Sequence, residues 1–145
     1  MRVLVDTNVY LEIFLKRERC DDAVEFFSMS FDRRNQIYIS SISLRDIGYI
    51  VHRFVHDKEI SRNFQMKAYC MSSKVAPISA DAAIESLYSE NPDYEDSLQS
   101  IAAQESMCDA IITFNKKDYR DTRMPVFTPK EICKIWKENP RIIIE

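Results

Sequence analysis

Val3-Leu4-Val5-Asp6-Thr7-Asn8 is the stretch that decides the fold. Its three apolar residues predict a buried strand, and helical periodicity over residues 9–15 predicts that a helix follows. An acid therefore lies where a strand gives way to a helix, which is where α/β proteins usually place their chemistry. Two interpretations of Asp6 stay open here, because a carboxylate at this point can cap the helix or can hold a hard cation.

Strands and helices alternate along the rest of the chain. The patterns predict strands over residues 2–5, 37–40, 75–78, 110–113 and 126–127, and helices over residues 9–15, 21–29, 44–55, 59–71 and 80–89. A further helix follows the acidic segment 93–96, and a capping box starts a last helix at Thr128-Pro129. The apolar face of the third helix is expected to bury Leu44, Ile47, Val51, Phe54 and Val55.

This order of elements predicts an α/β fold. Because parallel neighbours need crossover connections, alternating strands and helices indicate a three-layer α/β/α sandwich with a central, mostly parallel sheet of four to five strands. The 145 residues, 46% of them apolar, fit a single domain over residues 1–145. The tail, residues 141–145, is predicted to be either a last strand or a loose end.

The composition excludes several classes of function. The net charge of −3 gives no basic field, so any polyanion must be held locally. The single glycine, Gly48, excludes the glycine-rich loops that bind ATP, GTP or NAD, and we expect no nucleotide cofactor. No apolar stretch reaches the ~18 residues that span a bilayer, so we expect a cytoplasmic protein with no membrane partner.

Cysteine and histidine form no recognisable site. The four cysteines are far apart and include no C-x-x-C pair, so we expect buried reduced thiols rather than zinc ligands or disulfides. His52 and His56 lie four residues apart, but Arg53 replaces the glutamate of a zinc-protease helix. A solvated helix face explains the two histidines better than a catalytic role.

Three further acids each have an ordinary structural explanation. Asp46 follows Ser43 by three residues, as in a variant of the capping box. Asp96 lies in the acidic first turn of a helix, and Asp118 lies in a polar turn after a strand. Together with Asp6, however, they all fall at ends of strands or starts of helices, which share one edge of a parallel sheet. Carboxylates brought that close repel unless protonated or bridged by cations, and an all-oxygen set suits Mg²⁺ or Mn²⁺.

Four segments, in this order and spacing, resemble a PIN domain, the nuclease fold of the VapC-like toxins. They are Val-Asp-Thr-Asn at 5–8, Ser-Ile-Ser-Leu-Arg-Asp-Ile at 41–47, Asp-Tyr-Glu-Asp-Ser-Leu-Gln at 93–99 and Ile-Ile-Thr-Phe-Asn-Lys-Lys-Asp-Tyr at 111–119. The resemblance runs from Met1 to about Trp136. It implies a metal site, and therefore catalytic residues, formed by Asp6, Asp46, Asp96 and Asp118. The family usually has glutamate where this chain has Asp46, and many relatives have arginine where it has Phe114.

Residues around the four acids are expected to support them. Asp93 assists Asp96 or stands in for it, and Asn115 resembles a family position that orients the site. Hydrogen bonds to the carboxylates are expected from Thr7, Asn8 and Thr113. Contacts to RNA phosphates are expected from the cations that flank Asp118, namely Lys116, Lys117 and Arg120. Tyr94 and Tyr119 either stack on a base or pack against the protein.

The resemblance implies a function. We expect a divalent-metal-dependent ribonuclease that hydrolyses single-stranded RNA and leaves a 5′-phosphate and a 3′-hydroxyl. We also expect the toxin half of a toxin–antitoxin pair, a homodimer that an antitoxin protein neutralises. The alternative is a degenerate PIN-like or receiver-like module that binds RNA or a protein without cutting.

Overall fold

A parallel β-sheet forms the centre of the protein in the computed structural model, which describes residues 1–31 and 35–139. Within those ranges the sheet has five strands in the order β3-β2-β1-β4-β5, and every neighbouring pair is parallel. The strands are β1 Arg2–Val5, β2 Gln36–Ser40, β3 Lys74–Ala76, β4 Ala110–Ile112 and β5 Val126–Phe127. The prediction of a mostly parallel sheet of four to five strands is confirmed.

The described helices surround this sheet and mostly begin at a side chain that caps them. They are α1 Thr7–Phe14, α2 Cys20–Ser30, α3 Ser41–Val55, α4 Lys58–Cys70, α5 Ala80–Leu87, α6 Tyr94–Glu105 and α7 Pro129–Glu138, with a short 3-10 helix at Lys116–Tyr119. At α7 the predicted capping box is present: the Thr128 hydroxyl accepts from the Glu131 amide, and the Glu131 carboxylate accepts from the Thr128 amide. Local cap chemistry therefore sets where this helix starts.

The side chains of β1 alternate between two separate cores. Val3 and Val5 pack in the larger cluster, with residues of α1, α2, α3 and α7. Leu4 points to the other face of the sheet and packs with Ile111 and with Ala102 of α6. Because successive side chains of a strand point to opposite faces, the two clusters lie on opposite sides of the sheet. The fold is thus a three-layer α/β/α sandwich, as predicted.

Two expectations about burial in α3 are wrong. Ile47 and Val51 are fully buried, but Phe54 is 65% exposed and Val55 is 40% exposed. The apolar face of α3 is covered as far as Val51, and Gln65 of α4 packs closely beside Gly48. A β-carbon at Gly48 would collide with the Gln65 side-chain nitrogen, which donates to the Leu44 carbonyl, so this placement of the Gln65 side chain needs glycine.

The cysteines are free but not all buried. Cys108 and Cys133 are buried and Cys20 is partly buried, whereas Cys70 is exposed at the end of α4, so the expectation of buried thiols is wrong there. In the described ranges, no helix combines the length and apolar character needed to cross a membrane. The tail at residues 141–145, predicted as a strand or a loose end, lies outside the described residues.

Candidate active site

Asp6 lies at the carboxyl end of β1, and both of its carboxylate oxygens are hydrogen-bonded. Oδ1 accepts from the Thr7 amide at 2.8 Å and from the Gln99 side chain at 3.3 Å. Oδ2 accepts from the Thr113 hydroxyl at 2.9 Å and from the Asn8 side chain at 3.2 Å. Asp6 does cap α1, but capping accounts for only the Thr7 contact. The other three donors come from side chains that hold the carboxylate in one orientation.

Burial is the main influence on the charge of Asp6. It raises the pKa of this carboxyl above 3.8, and the hydrogen bond from Thr113 is the largest effect in the opposite direction. The buried Tyr119 side chain lies beside it, and its hydroxyl has no hydrogen-bond partner of normal geometry in the described part of the chain. Desolvation raises the pKa of Tyr119 well above 10, and the charge of Asp6 adds to the rise.

Asn8 and Thr113 form the expected support for Asp6. The Asn8 side chain donates to the Thr113 hydroxyl at 3.1 Å and accepts from the Phe114 amide at 3.2 Å. The Thr113 hydroxyl also accepts from the Asn115 amide at 3.0 Å. These contacts tie the end of β4 to the start of α1.

Gln99 and Ser43 complete the support. From the sequence, Ser43 was expected only to cap α3, and Gln99 had no predicted role. Gln99 is 1% exposed, and its side-chain nitrogen donates to the Ser43 hydroxyl at 2.7 Å as well as to Asp6. The Ser43 hydroxyl also pairs with the Thr7 hydroxyl at 2.7 Å. The sequence did contain a signal for the role of Gln99. This residue lies among the apolar residues of α6, and a buried side-chain amide needs hydrogen-bond partners.

Asp46 lies well inside α3 and does not cap it. The cap is Ser40, whose hydroxyl accepts from the Ser43 amide at 3.1 Å, so the capping-box explanation of Asp46 is wrong. Asp46 is 6% exposed, and its Oδ1 accepts from the Arg45 guanidinium at 3.0 Å. Its buried Oδ2 has no hydrogen-bond partner among the described residues. Leaving such an oxygen without a donor costs free energy, so structural roles alone do not explain Asp46.

Asp93 and Asp96 divide the roles at the start of α6. Asp93 is the cap, since its carboxylate accepts from the Glu95 amide at 2.9 Å and from the Asp96 amide at 3.2 Å. The Asp96 carboxylate lies partly buried in the first turn. Desolvation, followed by the negative charges of Asp93, Asp6 and Asp118 among others, raises its pKa from 3.8 to about 7. The Asp96 carboxylate thus lies in a strongly negative environment.

A single cleft of about 350 Å³ brings the four predicted acids together. Each acid comes from a different element: the end of β1, the middle of α3, the first turn of α6 and the 3-10 helix. Asp118 is partly buried. The simplest expectation, a solvated turn, therefore does not describe its position fully. The cleft is lined by Asp6, Asp46, Asp96 and Asp118, and by the predicted supporting residues Thr7, Asn8, Asp93 and Asn115. The predicted support Thr113 lies behind Asp6.

The predicted RNA-contacting cations separate into two groups. A groove of about 630 Å³ adjoins the cleft, shares Asp93, Asp96 and Asp118 with it, and is lined by Lys117 and Arg120. Lys116 points elsewhere, because its ammonium forms an ion pair with Glu131 of α7 at 3.1 Å. The contact predicted for Lys116 is therefore not favoured by its position.

The remaining sequence candidates lie outside the cleft lining. Tyr94 donates its hydroxyl to the Ala83 carbonyl at 3.2 Å, which favours packing over base stacking. His52 and His56 have ring centroids 6.3 Å apart on α3. At Phe114, where many relatives have arginine, the guanidinium of Arg19 lies 4.3 Å from the ring centroid.

The acids do not close into a complete metal cage. In residues 1–31 and 35–139, no three acidic, histidine or cysteine side chains form a group that could hold a metal ion by themselves. The cleft has the charge for a cation: Oδ2 of Asp46 has no hydrogen-bond donor in the described part of the chain, and desolvation and the neighbouring carboxylates raise the pKa of Asp96. Any cation there would need further ligands from water or substrate.

Comparison with known proteins assigns the fold to a family. A sequence profile of the PIN domain matches residues 2–117. The structure is similar to VapBC2 from Rickettsia felis bound to a DNA fragment from their promoter, with 18% identity, a TM-score of 0.67, and coverage of 88% of this chain and 97% of that chain. It is also similar to FitAB bound to an IR36 DNA fragment, with 15% identity, a TM-score of 0.66, and coverage of 88% and 95%. No curated protein sequence matches the chain. Because the profile spans most of its length, this protein belongs to the PIN domain family, whose members are generally nucleases.

Proposed function

We propose that this protein is a divalent-metal-dependent endoribonuclease that hydrolyses phosphodiester bonds of single-stranded RNA. The observation that carries the proposal is the cleft in which four separate elements contribute Asp6, Asp46, Asp96 and Asp118. Capping explains only part of the contacts of Asp6 and none of those of Asp46. Such a concentration of negative charge costs free energy unless a cation offsets it. A metal-dependent nuclease requires such a cluster of carboxylates to hold its cation.

Mg²⁺ or Mn²⁺ fits the chemistry of these donors. Mg²⁺ is usually held by one or two carboxylates and keeps several of its waters, so it does not need a cage made entirely of protein. Asp46, whose Oδ2 has no hydrogen-bond donor among the described residues, and Asp96 would supply oxygens to such an ion, with Asp6 and Asp118 beside them. When bound, the ion would lower the pKa of a coordinated water and offset negative charge on the phosphate.

The protein side chains have distinct parts in this proposal. Asp6 is held in one orientation by Thr7, Asn8, Gln99 and Thr113, so its carboxylate is preorganised for the ion. Lys117 and Arg120 line the adjoining groove and would contact the phosphates of the RNA on that side. Local cations of this kind allow a protein of net charge −3 to bind a polyanion.

The biological setting is proposed from the likeness to VapBC2 and FitAB. We infer that the chain acts in the cytoplasm as the toxin of a toxin–antitoxin pair, forms a homodimer and is neutralised by an antitoxin protein. Growth arrest on expression in bacterial cells, relieved by co-expression of a small DNA-binding protein encoded next to the gene, would support this role. Light scattering of the purified protein tests the homodimer.

The ribonuclease proposal is tested by Asp6→Asn. Asparagine caps helices as well as aspartate does, so the variant should keep its fold while losing a negative charge from the cleft. Asp21→Asn is the matched control, because Asp21 is an exposed acid in the first turn of α2, away from the cleft. With a labelled single-stranded RNA, the wild type and Asp21→Asn should cleave in Mg²⁺ or Mn²⁺ and stop on addition of chelator.

The result for Asp6→Asn decides between the two functions considered. Loss of cleavage in a variant that still unfolds cooperatively and keeps the circular-dichroism spectrum of the wild type supports the nuclease. Products carrying a 5′-phosphate support hydrolysis. Full activity in Asp6→Asn would refute the assignment of the site. RNA binding without cleavage by the wild type, in either metal, would instead favour the non-catalytic PIN-like module.

A further inference from the structure

An exposed row of side chains on α3 continues from the acidic cleft. Arg45, Tyr49 and Arg53 are spaced by four residues, so they lie along one side of the helix, separated by a rise of about 6 Å each. Arg45 and Tyr49 line the same cleft as Asp6 and Asp46. The row therefore begins at the candidate active site and leads away from it.

The two arginines flank the tyrosine ring. The guanidinium carbon of Arg45 lies 5.2 Å from the Tyr49 ring centroid, and that of Arg53 lies 5.9 Å from it. Tyr49 nevertheless remains 53% exposed, and the Arg45 side chain is 68% exposed. Two cation–π contacts at an exposed site stabilise a helix by only about 0.5–1 kcal/mol each. Stability alone therefore gives a modest reason for this arrangement at the mouth of a cleft.

The row also complements the opposite side of the cleft. Lys117 and Arg120 supply positive charge in the groove beyond Asp96 and Asp118. On the α3 side, Arg53 supplies positive charge and Tyr49 supplies an aromatic surface. Arg45 is exposed there too, but its guanidinium is paired with Asp46 at 3.0 Å. A strand of nucleic acid that crosses the four acids would thus meet cations on both sides of the cleft. It would meet the exposed ring of Tyr49 on the α3 side.

We propose that Tyr49, flanked by Arg45 and Arg53, is a stacking platform for an unpaired base of the RNA next to the phosphate that is cut. The inference rests on the proposed ribonuclease function and adds a residue that selects for single-stranded substrate. An unpaired base stacks on aromatic rings, whereas the bases of a duplex already stack on each other. The Arg53 guanidinium binds a phosphate next to that nucleotide. The Arg45 guanidinium is already paired with Asp46 at 3.0 Å.

Binding of a labelled RNA tests the platform. The variants Tyr49→Ala and Tyr49→Phe are made in the Asp6→Asn protein, so that binding is measured without cleavage. Tyr69→Ala is the matched control, because Tyr69 is 56% exposed on α4 and does not line the cleft. Tyr49→Ala should weaken binding of single-stranded RNA about tenfold, whereas Tyr49→Phe and Tyr69→Ala should change the affinity less than twofold.

An RNA of the same length without bases separates stacking from charge. Its affinity should be the same for Tyr49→Ala and for the Asp6→Asn parent, because only the phosphates remain. If Tyr49→Ala lowers the affinity for the natural and the abasic RNA equally, the platform is refuted. It is also refuted if Tyr49→Ala binds the natural RNA unchanged while the wild type still cleaves that RNA. If the wild type neither cleaves nor binds RNA, the ribonuclease proposal fails and the platform fails with it.

Discussion

Replacing Asp96 with asparagine should stabilise the metal-free protein at high pH. The pKa of Asp96 is about 7 in the folded protein, compared with 3.8 for an aspartate in an unfolded chain, so folding opposes the ionisation of this carboxyl. Below pH 3.8 the carboxyl is protonated whether the chain is folded or unfolded, and no penalty applies. Between pH 3.8 and 7 the folded state holds the proton and the unfolded state releases it, so the free energy of unfolding falls as pH rises. Above pH 7 the full penalty is present.

The size of the penalty follows from the pKa and from the exposure of the side chain. Each pKa unit is worth about 1.36 kcal/mol, so the rise from 3.8 to about 7 would correspond to about 4 kcal/mol for a fully buried group. Asp96 is partly exposed, and solvent screening reduces this to about 2 kcal/mol. Asp96→Asn should therefore be about 2 kcal/mol more stable than the wild type at pH 8, and the difference should approach zero near pH 4.

Urea unfolding in the presence of a chelator measures this difference. Trp136 is the only tryptophan and is 3% exposed, so its fluorescence reports unfolding. The control is Glu95→Gln, which removes an exposed neighbouring acid and should change stability by less than about 0.5 kcal/mol. Addition of Mg²⁺ at pH 8 should stabilise the wild type but not Asp96→Asn. A destabilised Asp96→Asn at pH 8, or a difference independent of pH, would refute the reasoning.

Substitutions at four further positions test the support of the site, the core and a helix cap. Gln99→Leu should weaken Mn²⁺ binding about tenfold in calorimetry, because it removes a hydrogen-bond donor to the Asp6 carboxylate. Ser97→Ala on the same helix should leave Mn²⁺ binding unchanged. Equal effects of the two substitutions would contradict the positioning role of Gln99. Phe26→Ala should cost about 3–5 kcal/mol in urea unfolding followed by circular dichroism because the ring is fully buried. Phe54→Ala should cost less than about 0.5 kcal/mol, and a large cost would mean that Phe54 is buried. Asp57→Ala should cost about 1 kcal/mol through loss of the cap of α4, and Asp57→Asn should restore it.

Local patterns predicted most element boundaries because the forces that set them are local. β1 has the predicted bounds, and α7 starts at the capping box of Thr128 and Glu131. The start of α3 differs, because Ser40 caps the helix three residues before Ser43. Both serines are good caps by residue type, and only the backbone at the end of β2 selects between them.

Burial and partnership could not be predicted because they depend on which elements pack together. Phe54 continues the apolar face of α3, yet it is 65% exposed, whereas Val51 on the same face is fully buried. Lys116 is next to Lys117, but a turn of the 3-10 helix brings it to Glu131 and away from the groove. Neither outcome can be read from neighbouring residues alone.

The sequence by itself determined the alternation of strands and helices, and with it the edge at which Asp6, Asp46, Asp96 and Asp118 gather. That inference is topological, since strand ends and helix starts of a parallel sheet share one side. Only the tertiary structure decided how each acid is held. The Gln99 side chain reaches Asp6, 93 residues away, and Ser43, 56 residues away. Contacts over such separations depend on how α6 and α3 pack around β1, because a hydrogen bond forms only when packing brings donor and acceptor next to each other.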